Sequence, residues 1–343
     1  MFYIFALNFF TMSAIFPASY STLSLLALAS LICERYGLVD VRCELMLRGV
    51  GDTYLAESGA DRYILRAYRS SHRSLPQIRA EMELLLALKQ ADVPAAYPIR
   101  DLDGAEIQAV EAVEGERHLV LFNYAPGQPV SKLDATQLRT LGRQMARFHE
   151  VSSTITLSDK RWNFDLETTL FGPIEMLRHA FREDPEGYAW VQQAARTAEK
   201  ALNDLGASGF ATGYCHFDFL PKNFHFVGDS ITFFDFDFLG YGWLVNDIMS
   251  FWEQLCLDVH FGRMKQGEAD EAYAIFLKAY GEVRTLSAAE LKAVPFLTLG
   301  WWLFYMGFHT THDQFTPLVQ PAHFKLRVNL MRQLMERYWE KES

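Results

Sequence analysis

The sequence predicts an α+β chain in two lobes: a small antiparallel sheet carrying one helix, then a larger, mostly helical part. Two changes of texture and one polar stretch lead there. From Val41 to Tyr124 the chain runs in short β-rich segments, RCELML, TYLAES, RYILRAY and HLVLFNY, separated by turn signals such as ESGAD and LDGAE. After APGQPV, Ala125 to Val130, a turn-rich hinge, the chain becomes mostly helical in pattern. Inside that helical part lie YCHFDFLPKNFHF, Tyr214 to Phe226, and FFDFDF, Phe233 to Phe238, where carboxylates, histidines and an asparagine sit among phenylalanines. Buried carboxylates are costly unless paired or metal-bound, so these residues need a reason to be there.

The elements follow in order. Leu23 to Tyr36 has helical apolar spacing and stops at Gly37, a residue suited to a C-cap. One helix, from about Leu75 to Gln90, interrupts the β-rich set, with Pro94 closing it and Ile78, Met82 and Leu85 as its buried stripe. Asp134 and Gln137 form a capping box for a helix reaching about Glu150. Ser287 and Glu290 do the same later, and Pro295 is expected to kink that helix. The polar stretch reads as two short strands joined by a VGDS turn. The expected organisation is an N-terminal extension and helix over 1–40, a small lobe over 41–126 and a large lobe over 127–343.

Composition narrows the function classes. A chain of 343 residues, half of them apolar and 22% charged, is ordinary for a globular enzyme of two domains or lobes. A net charge of −10 argues against a nucleic-acid partner and is compatible with a cationic substrate. The four cysteines show neither C-x-x-C pairing nor zinc spacing and read as buried free thiols of a reducing compartment. MFYIFALNFF lacks the basic start of a signal peptide, and Asn8, Thr11, Ser13 and Pro17 break the apolar run a membrane span needs. Met12 is an alternative start, with the residues before it an upstream extension. A cytoplasmic protein with no membrane partner is expected; the oligomeric state is not legible.

His216, Asp218 and Asn223 make H-x-D-x-x-x-x-N, and Asp235 follows after a hairpin turn. Phosphoryl transfer needs this order: a carboxylate to accept a hydroxyl proton, then an amide and a carboxylate to hold Mg²⁺ on the phosphates. With these motifs the chain resembles the aminoglycoside phosphotransferase and choline kinase-like family, relatives of the protein kinases, over roughly Val41 to Trp302.

The resemblance implies a bilobal protein-kinase-like fold. It also implies an ATP- and Mg²⁺-dependent kinase acting on a hydroxyl of a small molecule: an aminoglycoside, a choline-like amine or a homoserine-like amino-alcohol. Asp218 is then the expected catalytic base, Asn223 and Asp235 the Mg²⁺ ligands, and His216 the organiser of the loop. Asp247, in VNDIMSF, is expected to brace that loop from a helix start, while Asp237 either touches metal or phosphate or caps a turn.

For ATP, RGVGDTYLAES resembles the family's glycine loop, with Gly49 and Gly51 letting backbone N–H groups approach phosphate; a plain hairpin is the other reading. Alternation in RYILRAYR puts Ile64, Arg66 and Tyr68 on one face, and Arg66 falls where protein kinases place a phosphate-binding lysine. Glu81 is its expected partner, a solvated surface charge being the alternative. HLVLFNYAPG resembles the strand entering the hinge, with backbone groups from Phe122 to Tyr124 facing adenine and Leu119 and Leu121 in the core.

Phe217 stands where the family's loop has glycine, which bears on the substrate side. Leu220 replaces a loop lysine of protein kinases, favouring a small-molecule kinase over a protein Ser/Thr kinase; Lys222 either supplies the missing charge or lies at the surface. A nucleotide-binding pseudokinase is disfavoured by intact Asp218, Asn223 and Asp235. A non-haem iron oxygenase using His216, Asp218 and a distant His260, His309 or His312 would leave Asn223 and Asp235 unexplained. In LGWWLFYMGFHTTHD, Leu299 to Asp313, most of Trp301, Trp302, Phe304 and Tyr305 are expected in the core, and His309 and His312 either bind metal or share one helix face.

Overall fold

A computed structural model describes residues 17–159 and 161–339, so the readings of MFYIFALNFF and of Met12 lie outside the described residues. The chain divides into two compact units, one running to Arg73 and including Arg100–Leu121, the other made of Ser74–Ile99 and everything from Phe122.

In the first unit, helix α1 (Leu25–Tyr36) is capped by Ser24 and ends at Gly37, whose φ of 68° is the left-handed C-cap its sequence predicts. A five-stranded sheet follows: β1 (Arg42–Arg48), β2 (Gly51–Ser58), β3 (Asp61–Tyr68), β4 (Ile107–Ala112) and β5 (Gly115–Asn123), in the order β1-β2-β3-β5-β4. β4 has no counterpart among the predicted strands, because IQAVEA buries only one residue fully and carries little apolar alternation. Gly51 is forced: a Cβ there would stand 2.9 Å from the Ala67 carbonyl oxygen of β3. Under the sheet, the Arg117 guanidinium donates to the Ser21 and Ala67 carbonyls at 3.0 and 3.1 Å and meets buried Asp52 at 3.4 Å.

The second unit holds helix α2 (Leu75–Gln90), which Ser74 and Gln77 open with a full capping box and Pro76 near its N-terminus. Its Ile78, Met82, Leu84, Leu85 and Leu88 are buried. Next come α3 (Ala135–Ser152), β6 (Trp162–Phe164), α4 (Gly172–Leu177), α5 (Pro185–Asp204), β7 (Thr212–Cys215), β8 (Phe224–Val227), β9 (Ser230–Phe233) and β10 (Gly240–Trp243). Helices α6 (Val245–His260), α7 (Gln266–Gly281), α8 (Ala288–His309) and α9 (Pro321–Tyr338) complete it. The capping boxes at Asp134 and Ser287 are both formed, and Pro295 lies inside α8.

β8 and β9 pair as the expected hairpin, and β10 lies between β6, parallel to it, and β7, antiparallel. Helix α8 is apolar nearly all round, which marks a helix buried in the core; Phe304 and Trp301 are buried there as predicted, while Trp302 and Tyr305 are half-buried. All four cysteines are free, but Cys33 and Cys43 are half-buried rather than buried. Among the described residues, no helix is long and apolar enough to cross a membrane.

Candidate active site

The segment between β7 and β8 is held by Asp247, two residues into α6. Its Oδ2 accepts from the His216 N–H at 2.9 Å and its Oδ1 from the Phe217 N–H at 2.6 Å. His149 of α3, a residue the sequence reading passed over, sits 3.0 Å from the same carboxylate through Nε2 and 2.8 Å from the Tyr280 hydroxyl through Nδ1. Nothing marks His149 in sequence beyond a polar residue on an apolar helix stripe.

His216 then joins the loop to the hairpin. Its Nε2 donates to the Phe234 carbonyl at 3.0 Å, which leaves Nδ1 to accept from the Asp218 N–H at 3.3 Å. The imidazole packs on Phe219 and Phe236. The Phe234 N–H in turn donates to the Asn223 carbonyl at 3.0 Å, so Asn223 and Asp235 are fixed through the residue between His216 and the turn.

Asp218 is 2% exposed. Its Oδ2 receives Asn223 Nδ2 at 2.7 Å and Lys222 Nζ at 2.8 Å, whereas Oδ1 is buried with no close hydrogen-bond partner. Lys222 thus brings a cation to this carboxylate even though most of its side chain is exposed. Burial pulls the Lys222 ammonium down, but the Asp218 and Asp235 carboxylates outweigh it and raise its pKa above the ordinary value. Because Asn223 uses its amide nitrogen on Asp218, its side-chain oxygen is the atom left for a cation.

Asp235 adopts a left-handed φ of 62° and starts a short helical turn, Phe236–Phe238, in which Asp237 is buried. Arg161, just ahead of β6, clamps that turn. Its Nη2 donates to the Asp237 and Phe236 carbonyls at 2.6 and 3.2 Å and its Nε to Leu239 at 3.4 Å. Its Nη1 donates to the Gln77 carbonyl at 3.0 Å and reaches Glu81 of α2 at 3.4 Å. The sequence reading missed Arg161, since backbone acceptors leave no mark in a sequence. Glu81 is buried and meets this arginine; Arg66 is half-buried on β3 in the first unit, over the Tyr68 ring at 5.6 Å.

Phe217 has a left-handed φ of 65°, the conformation that glycine adopts freely. The strain of about 1–2 kcal/mol is offset by packing: the ring is 1% exposed, stacks on Phe164 at 3.7 Å and meets the edge of Phe304 at 5.2 Å. Its carbonyl accepts from Trp301 Nε1 at 3.1 Å, tying the loop to α8. One turn along α8, Tyr305 lies in the field of Asp218; burial, then that carboxylate, pushes its pKa well up.

In the first unit, the Gly49 N–H donates to the Gly51 carbonyl at 2.9 Å, closing the tight turn before β2. Phe122 and Tyr124 bracket Asn123, whose N–H donates to Tyr97 and whose Oδ1 accepts from the Tyr97 N–H at 2.5 Å. Leu119 and Leu121 are fully buried.

The sequence pattern of the phosphotransferase enzyme family matches residues 47–290. The chain belongs to that family. Among phosphotransferase relatives, the amicoumacin kinase of Bacillus subtilis is 30% identical over 287 residues, covering 81% of this chain and 83% of its own. A homoserine kinase of Granulibacter bethesdensis is 25% identical, covering 80% and 82%. The fold is protein-kinase-like. A microcompartment-associated aminopropanol kinase superposes with a TM-score of 0.72 at 23% identity, over 92% of this chain and 98% of its own. Amicoumacin kinase hAmiN, in complex with AMP-PNP, Ca²⁺ and Ami, does so with 0.68 at 20% identity, over 88% and 92%. The chain is a phosphotransferase of this family.

Proposed function

We propose that the protein transfers the γ-phosphoryl group of ATP to the hydroxyl of a small molecule in the presence of Mg²⁺, with Asp218 as base and Asn223 and Asp235 as metal ligands. The observation that carries this reading is the state of Asp218. Its Oδ2 is held by Asn223 and Lys222 while Oδ1 is buried and open, so an acceptor O–H is the partner that atom lacks. The acceptor proton passes to Oδ1 as the acceptor oxygen bonds to phosphorus and the bridging oxygen of the nucleotide leaves.

The metal donors fit a hard cation: an amide oxygen and a carboxylate suit Mg²⁺, which keeps the rest of its shell for water and phosphate. Among the described residues there is no cluster of three His, Cys, Asp or Glu that would form an all-protein cage. When bound, Mg²⁺ neutralises charge on the phosphates. Lys222 sets a cation 2.8 Å from Asp218 Oδ2, and His216 and Asp247 hold the loop backbone, so little reorganisation accompanies reaction.

An ATP-consumption screen over amino-alcohols, choline-like amines, aminoglycosides, sugars and a generic protein substrate tests the reading. Turnover is expected with a small alcohol and lost in Asp218→Ala and Asp235→Ala, with near-UV circular dichroism retained. Near-normal rates in both variants would sink it.

A further inference from the structure

Beyond Asp218, one face of α8 carries a row of groups that the phosphoryl-transfer reading leaves unused. Trp301 is bonded to the loop at Phe217; Tyr305 follows one turn later, its ring 4.7 Å from Trp301, and His309 one turn after that, 6.2 Å from Tyr305. The Tyr305 hydroxyl is buried beside the Asp218 carboxylate, close enough to act on it as a hydrogen-bond donor, and lies in the field of Asp235 and Asp237 as well. The Tyr305 hydroxyl and the Asp218 carboxylate border one place, where an acceptor hydroxyl would meet both.

The far end of the row has the opposite charge. Arg327 of α9 donates through Nη1 to His309 Nδ1 at 3.1 Å. The guanidinium is half-buried and has no carboxylate partner among the described residues; its Nε and Nη2 make no hydrogen bond to them. His309 also feels the Lys222 ammonium, and burial, then Arg327, Lys222 and His312, push it down to about 4, so its imidazole is neutral and accepts. Burial lowers the Arg327 pKa as well, although the guanidinium stays charged. A half-buried guanidinium with an open Nε–Nη2 edge is built to take a planar anion through two parallel hydrogen bonds.

Resting on the phosphotransferase reading above, we propose that the acceptor is an alcohol that also carries a carboxylate. Its hydroxyl sits between Asp218 and Tyr305, and its carboxylate on the open edge of Arg327. The cations at this end disfavour a polycationic acceptor and an isolated choline-like amine.

Matched acceptors that differ only by the carboxylate provide the test: homoserine against 3-aminopropan-1-ol, threonine against 1-aminopropan-2-ol, and serine against ethanolamine. Steady-state kcat and KM are measured for the wild type, Arg327→Gln and Tyr305→Phe, with an aminoglycoside and choline as further acceptors. In the best pair, kcat/KM is expected to favour the carboxylated member by about ten- to a hundredfold, the range of a charge-assisted pair. Arg327→Gln collapses that ratio towards one through KM. Tyr305→Phe lowers kcat for both members and leaves the ratio standing.

A wild-type ratio of one or below, a preference for choline or the aminoglycoside, or a ratio that survives Arg327→Gln overturns the inference. If no alcohol is phosphorylated while the protein is folded, the phosphotransferase reading itself fails, and this inference with it.

Discussion

Replacing Arg161 by methionine keeps most of its volume and removes every donor. The side chain is 1% exposed and makes five polar contacts, to the carbonyls of Gln77, Phe236, Asp237 and Leu239 and to Glu81. Two of them, at 2.6 and 3.0 Å, have full strength; those at 3.2 to 3.4 Å contribute less. Hydrogen bonds from a charged group are worth about 1.5–3 kcal/mol each, and loss of one partner from a buried pair costs about 3–5 kcal/mol. The expected destabilisation is therefore about 3–5 kcal/mol.

The functional effect should be more specific than the loss of stability. With its clamp gone, the turn that begins at Asp235 no longer holds one position, so saturation should need more Mg²⁺ and kcat should fall at saturating metal. Arg161→Lys, which keeps a point charge and loses the planar fork, should lie between. Urea titration measures the first quantity and initial rates against Mg²⁺ concentration the second. An Arg161→Met protein with parental urea midpoint and unchanged Mg²⁺ dependence would refute the reasoning.

Three further outcomes are expected. Phe217→Gly relieves the left-handed strain but empties the slot between Phe164 and Phe304, for a net loss of about 2–4 kcal/mol by urea titration; parental stability would show that the slot collapses at no cost. Asp247→Asn turns one acceptor facing the His216 and Phe217 N–H groups into a donor, and kcat should fall about a hundredfold or more, the effect of a small misplacement at the reacting centre. Glu253, which receives Trp302 Nε1 at 2.6 Å, is pushed by burial from 4.5 to about 7. The stability associated with its protonated form is fully present below pH 4.5 and is lost as pH rises through 7. Glu253→Gln should raise stability at pH 8 by up to about 3 kcal/mol and by little at pH 5; an equal gain at both would exclude titration as the cause.

The local elements were largely legible because local chemistry specifies them. Ser74, Asp134 and Ser287 announce their helices through caps, and Gly37 ends one through its left-handed φ. β4 was not legible: IQAVEA is half-exposed and becomes a strand by pairing with β5. At the site, the loop aspartates and Asn223 stand out by spacing, and Phe217 stands out as the wrong residue for its turn. What compensates Phe217 is tertiary, supplied by Phe164, Phe304 and Trp301 from distant segments. Arg161 and His149 were invisible for the same reason, since their partners are carbonyls, a carboxylate and a phenol gathered only by folding.

The stack of Phe164 on Phe217, closed by Phe304 and pinned by Trp301, has a mechanical consequence. Strand β6, the loop bearing Asp218 and helix α8 share one close-packed joint, and such joints shift as units rather than bend. An acceptor that fits poorly and pushes on α8 would also shift Asp218, the proposed base. An alcohol whose bulk strains this joint should then bind and react slowly, a loss in turnover separate from the binding preference set at Arg327.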